Sequence, residues 1–355
     1  MSAPVRVALV TPNFENNSLG RTWCLWALSR ALGWRTEVVG VKGSALWAPL
    51  AGSPFADDCV VPASADRAAA LPAVRAAIGR ADLVIAVKPL VPSLGVALAE
   101  RDGTPLLADV DDPDVEVRTT WRPPLERLRR PGFLPSRRAV TALGAAVREV
   151  PRIVSNPVLQ RMYGGEVIPH VRAAGPEPTW AERDEPVVRF VGSVRGHKGV
   201  DVLRVAAARA GVALEVTAAP PSDASAGERW LGTTTLAEGE ALVRGADVVA
   251  VPSLPTLWTP AQLPAKLVDA MIAGRAIVAS AAEPVVWALG GTGMTVPPGE
   301  VEALAEAIRG LRDPVRRREL GAAARERALE RFTIDAVAPA FERAAHAAMT
   351  TAVPA

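Results

Sequence analysis

Two positive side chains lie between glycines in residues 190–199, which read Phe-Val-Gly-Ser-Val-Arg-Gly-His-Lys-Gly. An apolar run before them and an amphipathic pattern after them predict a strand, a glycine-rich loop and a helix start. Gly192 and Gly196 allow backbone to approach a ligand, and the first amides of a helix attract anions. Arg195 can grip phosphate oxygens with two hydrogen bonds, while Lys198 is a compact charge. The segment predicts a diphosphate site, with a loop of two solvated cations as the alternative.

A second segment with chemistry covers residues 246–274. An apolar run ends in Pro252-Ser253, and Pro264 then opens an amphipathic pattern that carries Lys266 and Asp269. Residues three apart share one face of a helix, and an acid there could accept both hydroxyls of a ribose. A helix with an ion pair on its surface explains the same pattern without a ligand.

The elements that must position these residues alternate along the chain. Short apolar runs separated by helical patterns are typical of parallel sheets covered by helices on both faces. We predict strands at 5–11, 35–41, 81–88, 104–110, 187–194, 213–218, 246–252 and 276–280. The fold class is therefore α/β, with doubly wound parallel sheets.

The Gly- and Pro-rich residues 173–178 have the composition of an interdomain linker. We predict one Rossmann-like domain at 1–172, a second at 173–332, and a C-terminal helix at 333–355 that returns to the first domain. Ligands of open α/β sheets bind outside the carboxyl ends of the strands, so the expected site is a cleft between the two domains.

Composition limits the classes of partner. The 355 residues are 49% hydrophobic with a net charge of only +2, which predicts a globular protein that does not bind nucleic acid. Cys24 and Cys59 lack metal-site spacing, so reduced thiols and no metal are expected. The first residues read as a strand rather than a signal peptide, and no apolar run is long enough for a spanning helix. We expect a cytoplasmic protein.

Together, the two segments resemble the donor half of the GT-B glycosyltransferases, specifically glycosyltransferase family 4 (glycosyl transferases group 1). The resemblance implies two Rossmann-like domains facing an interdomain cleft, with the N-terminal domain binding the acceptor and the C-terminal domain a nucleotide-diphosphate sugar. The motifs agree in order and spacing at Gly192, Arg195, Lys198-Gly199, Ala246-Asp247, Pro252-Ser253, Asp269-Ala270-Met271, Gly274 and Val278-Ala279-Ser280.

The resemblance also implies a mechanism, in which Arg195 and Lys198 neutralise the leaving diphosphate. The expected enzyme is hexosyltransferase-like, retains the anomeric configuration, and uses neither a metal nor another cofactor. UDP, GDP and dTDP remain open as the nucleotide. The residues predicted to bind the donor are Gly192, Ser193, Gln262, Leu263, Lys266 and Asp269.

One departure from the family pattern concerns the first of its two acids, which falls on Ala261. Gln262, Thr259 or the backbone amides of 260–265 are the alternatives for holding the sugar hydroxyls. The substitution keeps two other functions open. One is a non-catalytic partner subunit that binds a nucleotide sugar, and the other is a nucleotide-sugar epimerase on the same scaffold.

The stretch after the first strand is where family members place a loop between donor sugar and acceptor. We predict that Asn17, Ser18, Gly20 and Arg21 bind the acceptor or a phosphate there. The stretch lacks the GxGxxG spacing of a nicotinamide or flavin dehydrogenase.

Three further residues are candidates for acceptor hydroxyls. Asp111 and Asp112 follow the strand at 104–110, and His170 lies just before the linker. For the first two, acids that cap the next segment are the favoured explanation, and binding of acceptor hydroxyls is the alternative.

Residues 118–138 contain seven Arg and a single acid, Glu126, with Trp121 and Phe133 between them. Such a stretch predicts contact with an anionic acceptor or with the inner face of a membrane, and a solvated loop is the alternative. A small molecule, a glycan and a lipid-linked sugar all remain open as acceptor, and the oligomeric state is undetermined.

Overall fold

The computed structural model describes residues 3–64, 66–120, 133–180 and 183–351. The chain divides into two compact units. The first comprises Met1–His170 with Val337–Ala355, and the second comprises Val171–Ala336. Each unit is built on its own parallel sheet, which confirms the predicted α/β class.

The first unit has a sheet in the order β2-β1-β3-β4-β5-β6, with all neighbouring pairs parallel. Its strands are β1 (Arg6–Val10), β2 (Arg35–Val39), β3 (Leu83–Val87), β4 (Leu106–Val110), β5 (Arg152–Val154) and β6 (Glu166–Val167). Its helices are α1 (Leu19–Ala31), α2 (Pro54–Asp57), α3 (Arg67–Arg80), α4 (Val96–Glu100), α5 (Asp114–Thr119), α6 (Phe133–Glu149) and α7 (Pro157–Tyr163).

The central strands of this unit are buried along their whole length. β3 reads Leu-Val-Ile-Ala-Val and every residue of it is buried, as expected for a parallel strand covered on both faces. β4 is equally buried but contains Asp109. A buried carboxylate requires a partner, so this position points to a polar network inside the unit.

The second unit has a sheet in the order β12-β11-β10-β7-β8-β9, again parallel throughout. Its strands are β7 (Val188–Phe190), β8 (Leu214–Val216), β9 (Glu228–Trp230), β10 (Val248–Val251), β11 (Ala276–Ser280) and β12 (Met294–Val296). Its helices are α8 (Val200–Ala210), α9 (Leu236–Arg244), α10 (Ala265–Ile272), α11 (Glu283–Leu289), α12 (Val301–Arg309), α13 (Pro314–Arg331) and the start of α14 (Ile334–Thr350).

The strand order of the second unit reverses between β7 and β10. The chain first adds β8 and β9 on one side of β7, then crosses to the other side and adds β10, β11 and β12. Loops that leave two neighbouring strands in opposite directions open a crevice at their carboxyl ends, where such sheets bind ligands. The place to look for a ligand site is the edge formed by the ends of β7 and β10.

The eight predicted strands are all present, and all but β11, which has the predicted bounds, are shorter than expected. The strands β5, β6, β9 and β12 are not among the predicted ones, because each is a run of two or three residues without the longer apolar stretch that marks β7 and β8. The helix predicted from Lys198 begins two residues later, at Val200. Gly199 adopts a left-handed φ of 65° and separates α8 from a 3₁₀ turn, Gly196–Lys198. Of the described helices, none combines the length and apolar character needed to cross a membrane.

Candidate functional site

The second unit contains a pocket at the switch point between β7 and β10. His197 and Lys198 enter it from the loop after β7, and Ser253 enters from the end of β10. Thr259, Gln262 and Lys266 complete its polar lining. Two lysines therefore lie in one concave site, which is an arrangement suited to an anion.

The backbone of the pocket is held by two local contacts. The Gly192 amide donates a hydrogen bond of 2.7 Å to Thr217 Oγ1, and the Ser253 amide donates one of 2.8 Å to Ser280 Oγ. Gly192 adopts φ 120°, and a Cβ there would lie 3.4 Å from Cε and Nζ of Lys266. The glycine thus provides both the turn after β7 and room for the lysine amine.

Lys198 reaches across the pocket to the loop before α10. Its amine donates a hydrogen bond of 2.8 Å to Oε1 of Gln262. Beside it, the His197 ring stacks on Trp258, with the ring centroids 6.5 Å apart. Two residues predicted to bind the donor, Lys198 and Gln262, are therefore brought together from positions distant in the sequence.

Lys266 projects from the first turn of α10, directly after Pro264. Its Nζ is buried, has no hydrogen-bond partner, and lies 3.2 Å from the centroid of the Phe190 ring. Burial lowers the pKa of this amine well below its ordinary value, and the charge of Lys198 lowers it further, while Asp269 opposes both. Lys266, which the sequence predicts to bind the donor, thus lines the pocket with a buried amine near a second cation, Lys198.

Asp269 has a different partner from the one expected. Arg172 Nε binds its Oδ1 at 2.5 Å, and both side chains are largely buried. Glu240 lies close enough that Asp269 contributes to raising its pKa, although burial contributes more. The predicted binding of a ribose by Asp269 remains a prediction.

Three other residues predicted to bind the donor do not line the pocket. Arg195 and Ser193 are exposed and are not part of the pocket lining. Leu263 is buried in the apolar core formed by β10, β11 and α10, so its side chain is unavailable to a ligand. Their predicted roles in binding the donor stay predictions, and Leu263 could contact a donor only through its backbone.

The loop after β1 does not present Arg21 to solvent. The guanidinium is 1% exposed and lies 2.7 Å from the Asp109 carboxylate. It also donates to the carbonyls of Ile168 and Pro169. Arg21 therefore ties α1, β4 and the segment after β6 together, and it partners the buried acid of β4.

The other residues predicted in this loop lie at the start of α1. Ser18 Oγ donates to Asn16 Oδ1 at 2.7 Å, and Asn17 is exposed. Gly20 lies in the first turn of α1, and a Cβ there would meet nothing within 4 Å. Their binding of the acceptor or of a phosphate stays a prediction.

Asp111 and Asp112 belong to a buried charge network around Lys88. The Lys88 amine lies 3.1 Å from Asp111, contacts Asp112 more closely, and lies 3.6 Å from Asp114. Burial favours the neutral form of Asp111, but the charges of Lys88, His170 and Arg21 outweigh it and lower its pKa.

His170 joins the same network through Nε2, 3.3 Å from Oδ1 of Asp111. Its Nδ1 lies 3.7 Å from the sulfur of Cys24. Burial lowers the pKa of His170, but Asp111 and Cys24 together outweigh it, and the net shift of the pKa is upward. The structure therefore joins all three predicted acceptor residues in one cluster with Lys88, a buried lysine that the sequence analysis missed because nothing in its local pattern marks it.

Most of the arginine-rich stretch at 118–138 lies outside the described residues, which omit 121–132 and therefore Trp121 and Glu126. At its start, Arg118 Nε lies 3.5 Å from Asp114. Contact of this stretch with an anionic acceptor or a membrane remains a prediction. Within the described ranges, no group of three or more His, Cys, Asp or Glu side chains could hold a metal ion.

Comparison with known proteins identifies the class of the second unit. Residues 185–313, which include the whole pocket, match the family model of the glycosyl transferases group 1. No curated protein sequence matches the chain. The predicted resemblance of the donor half is thus confirmed at the level of the domain that carries the motifs.

Solved structures confirm the predicted GT-B fold over nearly the whole chain. The sucrose-phosphate synthase of Thermosynechococcus elongatus has a TM-score of 0.69 at 19% identity, covering 95% of this chain and 97% of its own. HepE of Anabaena in complex with UDP-glucose has a TM-score of 0.71 at 16% identity, covering 97% and 99%. WaaG, a glycosyltransferase involved in lipopolysaccharide biosynthesis, has a TM-score of 0.65 at 16% identity, covering 95% and 98%.

Proposed function

From a GT-B fold whose second unit carries a group 1 glycosyl transferase domain, we propose that this protein transfers a sugar from a nucleoside-diphosphate donor to an acceptor hydroxyl. The observation that carries the proposal is the pocket between β7 and β10, which both Lys198 and Lys266 line. Cations at a switch point are placed to hold a diphosphate.

The reaction requires little covalent chemistry from the chain. The bond between the anomeric carbon and the diphosphate oxygen breaks, and the departing diphosphate gains negative charge. Positive side chains fixed in the pocket stabilise that charge without having to reorganise. The acceptor oxygen then bonds to the anomeric carbon from the same face and gives its proton to the departing phosphate. We propose that configuration is retained and that positive side chains take the place of a metal ion.

The donor nucleotide is the first variable to test. HepE is a GT-B protein solved with UDP-glucose, which favours UDP over GDP and dTDP for this chain. The acceptor is proposed to bind at the first unit, whose Lys88 and His170 cluster lies at the carboxyl ends of β3, β4 and β6.

The test is sugar transfer by the purified full chain. UDP-, GDP- and dTDP-sugars are incubated with a panel of hydroxyl acceptors, and nucleoside diphosphate and product are both quantified, the latter by NMR for its anomeric configuration. We expect product with one nucleotide class, unaffected by EDTA. Lys198→Ala is expected to lower turnover by about 10²-fold, the usual effect of removing one charge-stabilising donor.

Other outcomes would identify the alternatives. Tight donor binding with neither transfer nor slow hydrolysis would replace the proposal with a non-catalytic partner subunit, consistent with the buried Ala261. Conversion of the nucleotide sugar to its epimer without an acceptor would replace it with an epimerase. Near-normal turnover of both Lys198→Ala and Arg195→Ala would contradict the role of cations at the diphosphate.

A further inference from the structure

Lys266 violates a general rule of protein interiors. Buried polar groups nearly always have hydrogen-bond partners, and buried charges are nearly always paired. The Lys266 amine is buried without a hydrogen-bond acceptor. Replacing it with an apolar side chain of similar length would remove this cost, so its presence requires an explanation outside the free protein.

The surroundings of the amine do not supply that partner. Its Nζ lies 3.2 Å from the centroid of the Phe190 ring, whose face attracts a cation but accepts no full hydrogen bond. Asp269 is one turn away and is occupied by Arg172. The remaining nearby charge is Lys198, which repels it and binds Gln262 instead.

Lys266 and Lys198 both line the pocket. Lys266 lies on α10 and Lys198 lies in the turn after β7, so two different elements bring their charges to one concavity. Two repelling cations that share a pocket are both satisfied when a polyanion enters between them. A diphosphate offers the several oxygens that this arrangement requires, whereas a single phosphate offers fewer.

We propose that Lys266 is the second cation of the diphosphate site, and that a phosphate oxygen of the bound nucleoside diphosphate supplies its missing hydrogen-bond partner. The inference rests on the proposed function and extends it, since it assigns to Lys266 a direct contact with the leaving group. It also predicts selectivity for diphosphates over monophosphates.

The experiment compares Lys266→Met, which keeps the length of the side chain, with Lys42→Met, the same change at an exposed lysine of the first unit. Binding of pyrophosphate, UDP and UMP to the full chain is measured by isothermal titration calorimetry, and the melting temperature is measured without ligand. For Lys266→Met we expect at least a tenfold weaker affinity for pyrophosphate and UDP, a smaller change for UMP, and an unchanged or higher melting temperature. Lys42→Met should match the wild type in every measurement.

Two results would overturn the assignment. One is a Lys266→Met variant that binds pyrophosphate and UDP as tightly as the wild type. The other is a loss of affinity that is equal for UDP and UMP and accompanied by a lower melting temperature, since that pattern indicates a structural role. Lys266→Arg, which keeps the charge, should restore part of the diphosphate affinity if the contact is direct.

These results are separable from a failure of the proposed function. A wild-type chain that binds pyrophosphate through Lys266 but transfers no sugar would leave the inference standing and contradict the transferase. A wild-type chain that binds neither pyrophosphate nor any nucleotide would overturn both.

Discussion

Arg172 binds the carboxylate of Asp269 through its Nε. Asp269 lies on α10, the helix that also carries Lys266. The ion pair holds one oxygen of an acid that the sequence predicts to bind a ribose. Arg172 is itself fixed, because its backbone pairs with Thr333 in an isolated parallel bridge. The carboxylate is thus oriented by an anchored partner before any ligand arrives.

The first prediction concerns this oriented acid. Asp269→Ala removes the carboxylate, and hydrogen bonds to charged groups contribute about 1.5–3 kcal/mol, so the affinity for the preferred nucleoside diphosphate should fall about 10- to 100-fold. Calorimetric titration of the ribonucleotide and of its 2′- and 3′-deoxy analogues checks the cause. The variant should lose discrimination between them, and unaltered discrimination would show that Asp269 only anchors Arg172.

The second prediction concerns pH and the buried amine of Lys266. Its folded pKa is lowered by burial and by Lys198, whereas an unfolded lysine titrates near pH ~10.4. Between those values the unfolded chain binds more protons than the folded one, so this group makes the wild type more stable as pH rises. Lys266→Met lacks the effect.

The measurement is the melting temperature of both proteins across a pH series without ligand. The advantage of Lys266→Met should be largest at low pH and should shrink as the pH approaches ~10.4, where lysine is neutral in both states. A difference that stays constant over the whole series would mean that Lys266 does not change its pKa on folding.

The third prediction concerns Gly192. Its φ of 120° is unfavourable for any residue with a Cβ, and such strain costs about 1–3 kcal/mol. Gly192→Ala should therefore lower stability, and it should also weaken diphosphate binding because the added methyl group lies 3.4 Å from Cε and Nζ of Lys266.

Gly196→Ala is the matched control in the same loop, because a Cβ there meets no atom within 4 Å. Its stability and affinity should stay close to those of the wild type in thermal melting and calorimetry. Equal effects of the two substitutions would indicate that the loop as a whole, rather than the space beside Lys266, determines binding.

The fourth prediction concerns the buried ion pair of Arg21 and Asp109 in the first unit. Breaking such a pair from one side leaves an uncompensated charge and costs about 3–5 kcal/mol. Arg21→Met should therefore destabilise the first unit by roughly that amount, whereas Arg21→Met with Asp109→Leu should recover much of it.

Hydrogen exchange of the amides in β1 and β4 reports on this unit alone. Protection there should drop in the single variant and return in the double one. If Arg21→Met leaves protection intact but reduces transfer activity, Arg21 serves the ligand, as the sequence predicts, rather than the core.

The pocket residues show most clearly how much of the fold and of the site can be predicted from the sequence. Gly192, Lys198 and the Pro264 helix start are local signals, because a glycine turn or a helix opening depends on neighbours along the chain. Those signals, repeated in order, predict the doubly wound fold and the resemblance to the glycosyl transferases group 1, which are confirmed. The cation that they predict for a diphosphate stays a prediction.

The tertiary structure decided which charges meet. Lys266 and Asp269 share a helix face, and their spacing allows an ion pair between them. In the folded chain the Lys266 amine instead lies against the Phe190 ring, and Asp269 forms its ion pair with Arg172. Lys88 and Asp111 meet only because β3 and β4 are neighbours in the sheet. Electrostatic partners depend on distance and burial after folding, which local spacing does not contain.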